Sequence, residues 1–357
     1  MSAVDWPQVR RILVVKLRSI GDTVLSTPSL IALRRYAPQA EIDVLLEDWV
    51  APVLEGHDGV NVIGISTGMG ARLATISRLR KRQYDVAFNL HGGTTSTFLT
   101  WASGAKHRFG NASYQYSFLY NHLLSSPADF WGRQKMHSAE QQLALVGFAG
   151  VSVDDLPKTK LQVTAEALAS VESRIGGSQI SDSRSEIALL HPGTAFETKR
   201  WAPANFARVA EYLANKELTL VAIASKEESA TLNELSSAAN IPITTYNDLT
   251  LPEITALASK ARIFIGNDSG IAHIAAAVQT PTVVIFGSSN RTHWRPWTDA
   301  PNEIVFNPFD CQPCAGYRCD AFGDSRCIHS VTVDQVNAAV ERVLSAASSL
   351  TPNPAKH

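Results

Sequence analysis

Short apolar, β-branched runs alternate with segments of helical spacing along nearly the whole chain. That alternation leaves few folds open. Arg11-Ile-Leu-Val-Val-Lys-Leu17 reads as a buried strand. A turn at Arg18-Ser-Ile-Gly-Asp22 follows, and Val24, Leu25, Leu30, Ile31 and Leu33 then fall close to a helical period. Glu41–Leu46, Asn61–Ile65 and Tyr84–Leu90 read as further strands, with helices over Arg72–Arg82 and His137–Ala149. Strands separated by helices demand parallel pairing, because a crossover must carry the chain back before the next strand can start.

The pattern then restarts. A polar, Gly/Ser-rich stretch from Gly176 to Ser185 reads as a loop or linker. Beyond it, strands are expected at Glu186–His191, Leu218–Ala224, Arg262–Gly266 and Pro281–Phe286. Helices are expected at Asn205–Asn215, Glu227–Ala239, Leu251–Ser259, Ile271–Val278 and Val333–Ala347. The chain therefore predicts an α/β fold of two doubly wound halves. The first spans 1–175 and the second 176–330; a C-terminal helix and tail occupy 331–357, of which Thr351–His357 reads as frayed. In such sheets ligands sit at the carboxyl ends of the strands, and two sheets with facing carboxyl ends would enclose a cleft.

Composition narrows the function. There are 32 Lys+Arg against 33 Asp+Glu, a balance that excludes a strongly basic nucleic-acid binder. The balance hides an asymmetry, since residues 1–150 carry a net +4 and residues 151–357 a net −5. The basic half contains Arg78, Arg80, Lys81, Arg82, Lys106, Arg108, Arg133 and Lys135. These are a solvated surface, or they meet an anionic partner such as a phosphorylated substrate or a membrane face. No apolar run approaches the ~18–20 residues of a membrane span. The first residues lack a signal-peptide core, so a cytoplasmic location is expected.

The loops after the strands carry the chemistry. No G-x-G-x-x-G follows the first strand and no P-loop sequence occurs, so the usual dinucleotide and nucleoside-triphosphate fingerprints are missing. Asp22 falls at the start of a helix. It is either a first-turn carboxylate favoured by unpaired N–H groups or a general base aimed at an incoming hydroxyl. His191-Pro-Gly-Thr194 and Thr198-Lys-Arg-Trp201 follow a strand. Lys199 and Arg200 there can neutralise a diphosphate leaving group, or form a solvated basic pair beside a packed Trp201. Gly266-Asn-Asp-Ser-Gly270 ends one strand and opens a helix, placing the N–H groups of Ser269 and Gly270 at its positive end. Asp268 can accept hydrogen bonds from sugar hydroxyls, and His273, one turn on, can reach a phosphate oxygen or serve as a core histidine.

Taken together, Ile12–Lys16 with Ser19-Ile-Gly-Asp22, His191–Thr194, Lys199-Arg-Trp201 and Asn267-Asp-Ser-Gly-Ile-Ala-His273 resemble the ADP-heptose:lipopolysaccharide heptosyltransferases of glycosyltransferase family 9. The resemblance runs from about Arg11 to about Val343 and rests on the order of the motifs. It implies a GT-B fold, two Rossmann-like domains facing across a cleft. It also implies metal-independent, inverting transfer of heptose from ADP-heptose to a lipid-linked lipopolysaccharide inner-core acceptor. By this resemblance Asp22 is the catalytic base and Lys199 holds the donor diphosphate. Thr194 contacts phosphate, and Asp268, Ser269, Gly270 and His273 form the donor loop. Glu227 or Glu228, in Ala224-Ser-Lys-Glu-Glu228, occupies the place of a glutamate that holds the ribose hydroxyls. The implied partners are an ADP-sugar, a lipid-linked glycan and peripherally the inner membrane's cytoplasmic face, with no nucleic acid. A sugar-nucleotide epimerase or hydrolase, or a non-catalytic sugar-nucleotide binder, remains as an alternative on the same architecture.

The four cysteines, Cys311, Cys314, Cys319 and Cys327, fall in one short segment. Their spacing suits a structural tetrathiolate zinc site, or thiols left free or partly bridged, because the second C-x-x-C of a zinc knuckle is absent. The chemistry requires no cofactor from them.

Overall fold

Residues 4–66, 68–176, 186–314 and 316–350 are described by the computed structural model. Most of the Gly/Ser-rich stretch and the Thr351–His357 tail fall outside them. The chain divides by contacts into Met1–Gln162 and Val163–His357.

The first unit is built on strands β1 (Arg11–Leu17), β2 (Glu41–Glu47), β3 (Asn61–Ile65), β4 (Val86–Asn89), β5 (His107–Asn111) and β6 (His122–Leu124). Its helices are α1 (Ile20–Val24), α2 (Thr27–Tyr36), α3 (Met69–Arg82), α4 (Thr94–Ala102), α5 (Pro127–Trp131) and α6 (Ser138–Phe148). The strands line up as β3-β2-β1-β4-β5-β6, all parallel. Strand β1 is the hinge of this order: β2 and β3 build away from one side of it, and the chain then crosses back to lay β4 on the other. Right-handed crossovers place α3 and α4 on the same face. Leu79 and Ile76 of α3 and Leu99 of α4 cover Leu13, Val15, Leu45, Ile63 and Ala87 there. Helices α2 and α6 pack together.

The second unit repeats the plan. It opens on α7 (Ala165–Gly176), followed by β7 (Ile187–His191), α8 (Pro203–Ala214), β8 (Thr219–Ile223), α9 (Ser229–Ala238), β9 (Thr244–Tyr246), α10 (Leu251–Lys260), β10 (Ala261–Asn267) and α11 (Gly270–Ala277). Next come β11 (Thr282–Ile285), α12 (Arg291–Trp294), β12 (Asn302–Val305), α13 (Arg326–His329) and α14 (Val333–Leu350). The sheet order is β12-β11-β10-β7-β8-β9, again all parallel. Phe206, Val209 and Leu213 of α8, with Val336, Val340 and Val343 of α14, bury one face of it around Trp201.

The sequence places the division at 175/176. The contacts draw α7 into the second unit instead: Arg174 pairs with Asp248 at 2.9 Å, and the Ser170 hydroxyl donates to Glu253 at 2.6 Å. The two doubly wound halves, Rossmann-like in strand order, are as the alternation predicts. Helix α14 packs on α8, so it completes the second core rather than standing apart.

Candidate active site

In a doubly wound sheet the strand order reverses at one place, and the loops leaving the two strands there diverge to opposite faces and open a crevice. In the first unit that place lies between β1 and β4. Asp22 sits in α1, directly after β1. Lys16, 4% exposed in β1, gives its ammonium to the Asp22 Oδ1 at 3.3 Å and to the Leu90 carbonyl at 2.9 Å. The Ser19 hydroxyl donates to Asp22 Oδ2 at 2.9 Å. Both carboxylate oxygens are thereby held, and the plane of the group is fixed. His91 follows β4, and burial lowers its imidazole pKa, helped by Lys16 and Arg18 and opposed by Asp22. A neutral imidazole thus stands within the electrostatic reach of an ion-paired carboxylate. Lys16 lies in the strand Arg11–Leu17 and His91 directly after the strand Tyr84–Leu90, and neither carries a local sequence signal for this pairing.

In the second unit the reversal lies between β7 and β10. Thr194, Lys199, Asp268, Ser269, Gly270 and His273 lie in or just beyond the loops that leave those two strands, whereas Glu227 and Glu228 follow β8. The loop after β7 carries Thr194 and Lys199, and the loop after β10 carries Asp268, Ser269 and Gly270. Lys199 Nζ pairs with Asp268 Oδ2 at 2.8 Å, the carboxylate being 5% exposed. The Ser289 hydroxyl donates to the same oxygen. Thr194 Oγ1 donates to the Asp268 carbonyl at 3.4 Å, and Arg200 donates to the Thr194 carbonyl at 3.3 Å. Asn267 ties the loops together, accepting from the Trp201 N–H at 3.2 Å and donating to the Pro192 carbonyl at 2.8 Å. Lys199 is therefore a held cation rather than a solvated one, and Trp201 is packed in the core.

Ser269 occupies the N-cap position of α11 without a side-chain capping bond, and the first-turn N–H groups of the helix lack intrahelical acceptors. The Ser269 hydroxyl shares a hydrogen bond with His191 Nδ1 at 3.2 Å. His273 is buried in α11, one turn from the cap. Of the two glutamates, Glu227 is exposed. Glu228 leans over the Pro192-Gly193 turn: a Cβ built on Gly193 would lie 2.5 Å from Glu228 Oε2. A side chain at position 193 would displace that carboxylate.

Burial pushes the His191 imidazole down to about 4, with Glu228 opposing the shift. The folded state thus holds this ring neutral at pH 7, whereas the unfolded chain protonates it near its ordinary value. Its contribution to stability is complete above about pH 6.5 and is lost as pH falls toward 4. Urea unfolding should show a stability loss of about 2 kcal/mol by pH 5 from this ring alone. His191→Gln should flatten that slope; an unchanged slope would place the acid sensitivity elsewhere.

The cysteine segment braces this loop set from behind. The Cys314 N–H donates to the Ser288 carbonyl at 2.9 Å, and Thr198 Oγ1 to the Gly316 carbonyl at 3.0 Å. Gly287 lies so close to this strut that a Cβ on it would meet the Thr198 carbonyl oxygen at 2.1 Å. All four cysteines are free thiols. Burial, followed by the neighbouring thiols, raises the pKa of Cys314. Among the described residues no group of three His, Cys, Asp or Glu stands together as metal ligands. None of the described helices is long and apolar enough to cross a membrane.

Known proteins resemble this chain in sequence and in fold. Over 309 residues the chain is 29% identical to lipopolysaccharide heptosyltransferase 3 of Escherichia coli, covering 81% of this chain and 86% of that one. The Escherichia coli K12 protein of the same name is 26% identical over 348 residues, 92% and 96% of the two chains. Lipopolysaccharide heptosyltransferase 2 of Salmonella typhimurium is 26% identical over 294 residues, 78% of this chain and 83% of that one. Among solved structures, Escherichia coli ADP-heptose lps heptosyltransferase II superposes with a TM-score of 0.79 at 23% identity, covering 95% and 99% of the chains. The Escherichia coli heptosyltransferase WaaC with ADP gives 0.71 at 17% identity over 93% and 99%, so the GT-B architecture is shared. The model of glycosyltransferase family 9 (heptosyltransferase) matches residues 72–322, and the chain belongs to that family.

Proposed function

We propose that the protein transfers heptose from ADP-heptose to a lipid-linked inner-core acceptor of lipopolysaccharide, inverting the anomeric carbon. The supporting observation is the collection of Thr194, Lys199, Asp268, Ser269 and Gly270 at the β7/β10 reversal, in a chain whose curated relatives are heptosyltransferases. In this reading the second unit holds the donor. Lys199 and the α11 N-terminus face the diphosphate, with Thr194 and His273 beside it and Asp268 toward the sugar. Glu228, which leans over the Gly193 turn, takes the ribose in preference to the outward Glu227. The acceptor oxygen forms its bond to the anomeric carbon as the bond to the phosphate oxygen breaks. The acceptor's proton passes to Asp22, and ADP leaves with the bonding pair. Lys199 and the helix N–H groups meet the leaving charge, so no step calls on a metal.

Cytoplasmic location, with peripheral contact at the inner membrane, belongs to the same reading, because the acceptor is lipid-linked. A structural zinc ion at Cys311, Cys314, Cys319 and Cys327 has only the donor chemistry of four thiols in its favour. They would have to draw together to hold it, since among the described residues they do not stand as a ligand set. Metal analysis of the purified protein decides it: one equivalent of zinc supports the site and none removes it.

The direct test is a thermal-shift comparison of ADP-heptose with UDP- and GDP-sugars, followed by product analysis with and without acceptor. A ligand at about 100 times its Kd should stabilise by about 2.7 kcal/mol. Release of free sugar or an epimerised nucleotide, without a glycosylated acceptor, would overturn transfer in favour of hydrolysis or epimerisation.

A further inference from the structure

Charge is distributed unevenly on the face of the first sheet that α3 and α4 cover. Helix α3 carries Arg72, Arg78, Arg80, Lys81 and Arg82 and no acidic residue. Arg72, Arg78 and Lys81 are exposed and form no ion pair among the described residues. Beside it, α4 carries no charge at all, and between Asp85 and Lys106 the chain has no Lys, Arg, Asp or Glu. Its outward residues are Thr94, Phe98 and Trp101, spaced for one helical face, with the two rings 5.6 Å apart. The one-turn segment Ser117–Leu119 adjoins α4. Phe118 in it is 77% exposed and Tyr116, just before it, 51%, both within the uncharged stretch 112–121.

At the C-terminal ends of the two helices, Arg80 Nε donates to the Ala102 carbonyl at 2.9 Å. A cavity of about 750 Å³ opens there, lined by Arg10, Arg11, Arg80 and Lys106 with Asp85 as its one carboxylate. Lys106 pairs there with Asp85 at 2.8 Å and Arg11 with Glu41 at 3.9 Å, whereas the Arg10 and Arg80 guanidinium groups donate to backbone carbonyls and form no ion pair among the described residues. Arg82 of α3 is neutralised by Asp43 and Glu41. But exposed aromatic rings on an uncharged helix, bordered by the outward Arg72, Arg78 and Lys81 and a cavity with a net positive lining, match the chemistry of an anionic bilayer surface. Rings lodge at the headgroup level, and Lys and Arg meet lipid phosphates.

We propose that the α3–α4–Tyr116/Phe118 face docks the enzyme on an anionic lipid bilayer. The proposal rests on the reading that the acceptor is lipid-linked, and it names the surface that meets the lipid.

Co-sedimentation of the full chain with phosphatidylethanolamine–phosphatidylglycerol vesicles tests it. The wild type should bind these vesicles and leave phosphatidylcholine vesicles unbound. Arg72→Gln/Arg78→Gln/Lys81→Gln should weaken binding about a hundredfold, and added salt should mimic it. Phe98→Gln/Phe118→Gln should weaken it about tenfold or more. Brominated lipid should quench the wild type more than Trp101→Phe, a readout that does not depend on the multiple variants folding. Equal quenching, equal binding to neutral vesicles, or indifference to both sets of substitutions would overturn the proposal. So would light scattering that shows a wild-type dimer dissociated by Phe98→Gln/Phe118→Gln without any vesicle binding. Transfer to a lipid-free acceptor should be the same in all these variants. Loss of vesicle binding with that transfer intact is the expected result, whereas absence of transfer in a wild type that binds vesicles refutes the transfer reading alone.

Discussion

Asp22→Asn should lower kcat by about 10²–10⁴ while leaving the affinity for the ADP-sugar unchanged. Asparagine is the cleaner substitution because of what surrounds the group. Lys16 is 4% exposed and points at Asp22 Oδ1 and the Leu90 carbonyl. Alanine at position 22 would leave that buried ammonium with one neutral acceptor, a cost of about 3–5 kcal/mol that would mix misfolding with lost chemistry. Asparagine keeps an oxygen for Lys16 and loses the charge that takes the proton. Donor binding, which the proposal assigns to the second unit, is measured independently by thermal shift with ADP. If Asp22→Asn turned over normally, Asp22 would be no more than a first-turn carboxylate partnered by Lys16, and the base would have to be sought elsewhere. His91, the neutral imidazole in the same electrostatic field, would then be the first group to substitute.

The architecture was largely legible because parallel strands buried on both faces are written as unbroken apolar runs. β1, β3, β7 and β10 emerge within a residue or so of where those runs place them. The elements that escaped notice are those whose residues contradict their structure. Helix α4 contains four threonines, a phenylalanine and a tryptophan, a composition that favours strand. It is helical because packing overrides propensity: α4 lies on β1 and β4 with Leu99 in the core, and its hydroxyls are satisfied one turn back, Thr97 on the Gly93 carbonyl at 3.0 Å and Thr100 on Ser96 at 2.7 Å. Strand β5, His107–Asn111, offers one large apolar residue, Phe109. It exists because β4 and β6 flank it with backbone partners. The site divides in the same way. Motif order pointed to Asp22, Lys199 and Asp268. No local pattern says that Lys16 will turn toward Asp22, that Ser289 will reach Asp268, or that Glu228 rather than Glu227 will lean over Gly193. Those facts depend on which strands become neighbours.

Lys199→Ala should weaken donor binding and slow transfer together, with kcat falling by about 10²–10³ as one charged stabiliser of the leaving group is lost. The geometry adds a complication that the experiment can use. Lys199 Nζ lies 2.8 Å from an Asp268 carboxylate that is 5% exposed, and Ser289 covers the same oxygen. Removing the lysine strands that carboxylate, so the single variant should also lose stability, by about 3–5 kcal/mol. Lys199→Ala/Asp268→Asn removes both charges and should recover most of that loss, since the amide can still accept from Ser289 and needs no counter-ion. The two variants then separate the roles. If Lys199 serves the diphosphate, the double variant regains most of its stability without ligand yet shows no thermal shift with ADP. If Lys199 serves only to neutralise Asp268, restored stability brings the ADP shift back with it, and the diphosphate must bind elsewhere. An ammonium has three N–H donors, and Asp268 occupies one of them. The remaining two, beside the open N–H groups of α11, are what the proposed donor site asks of this side chain.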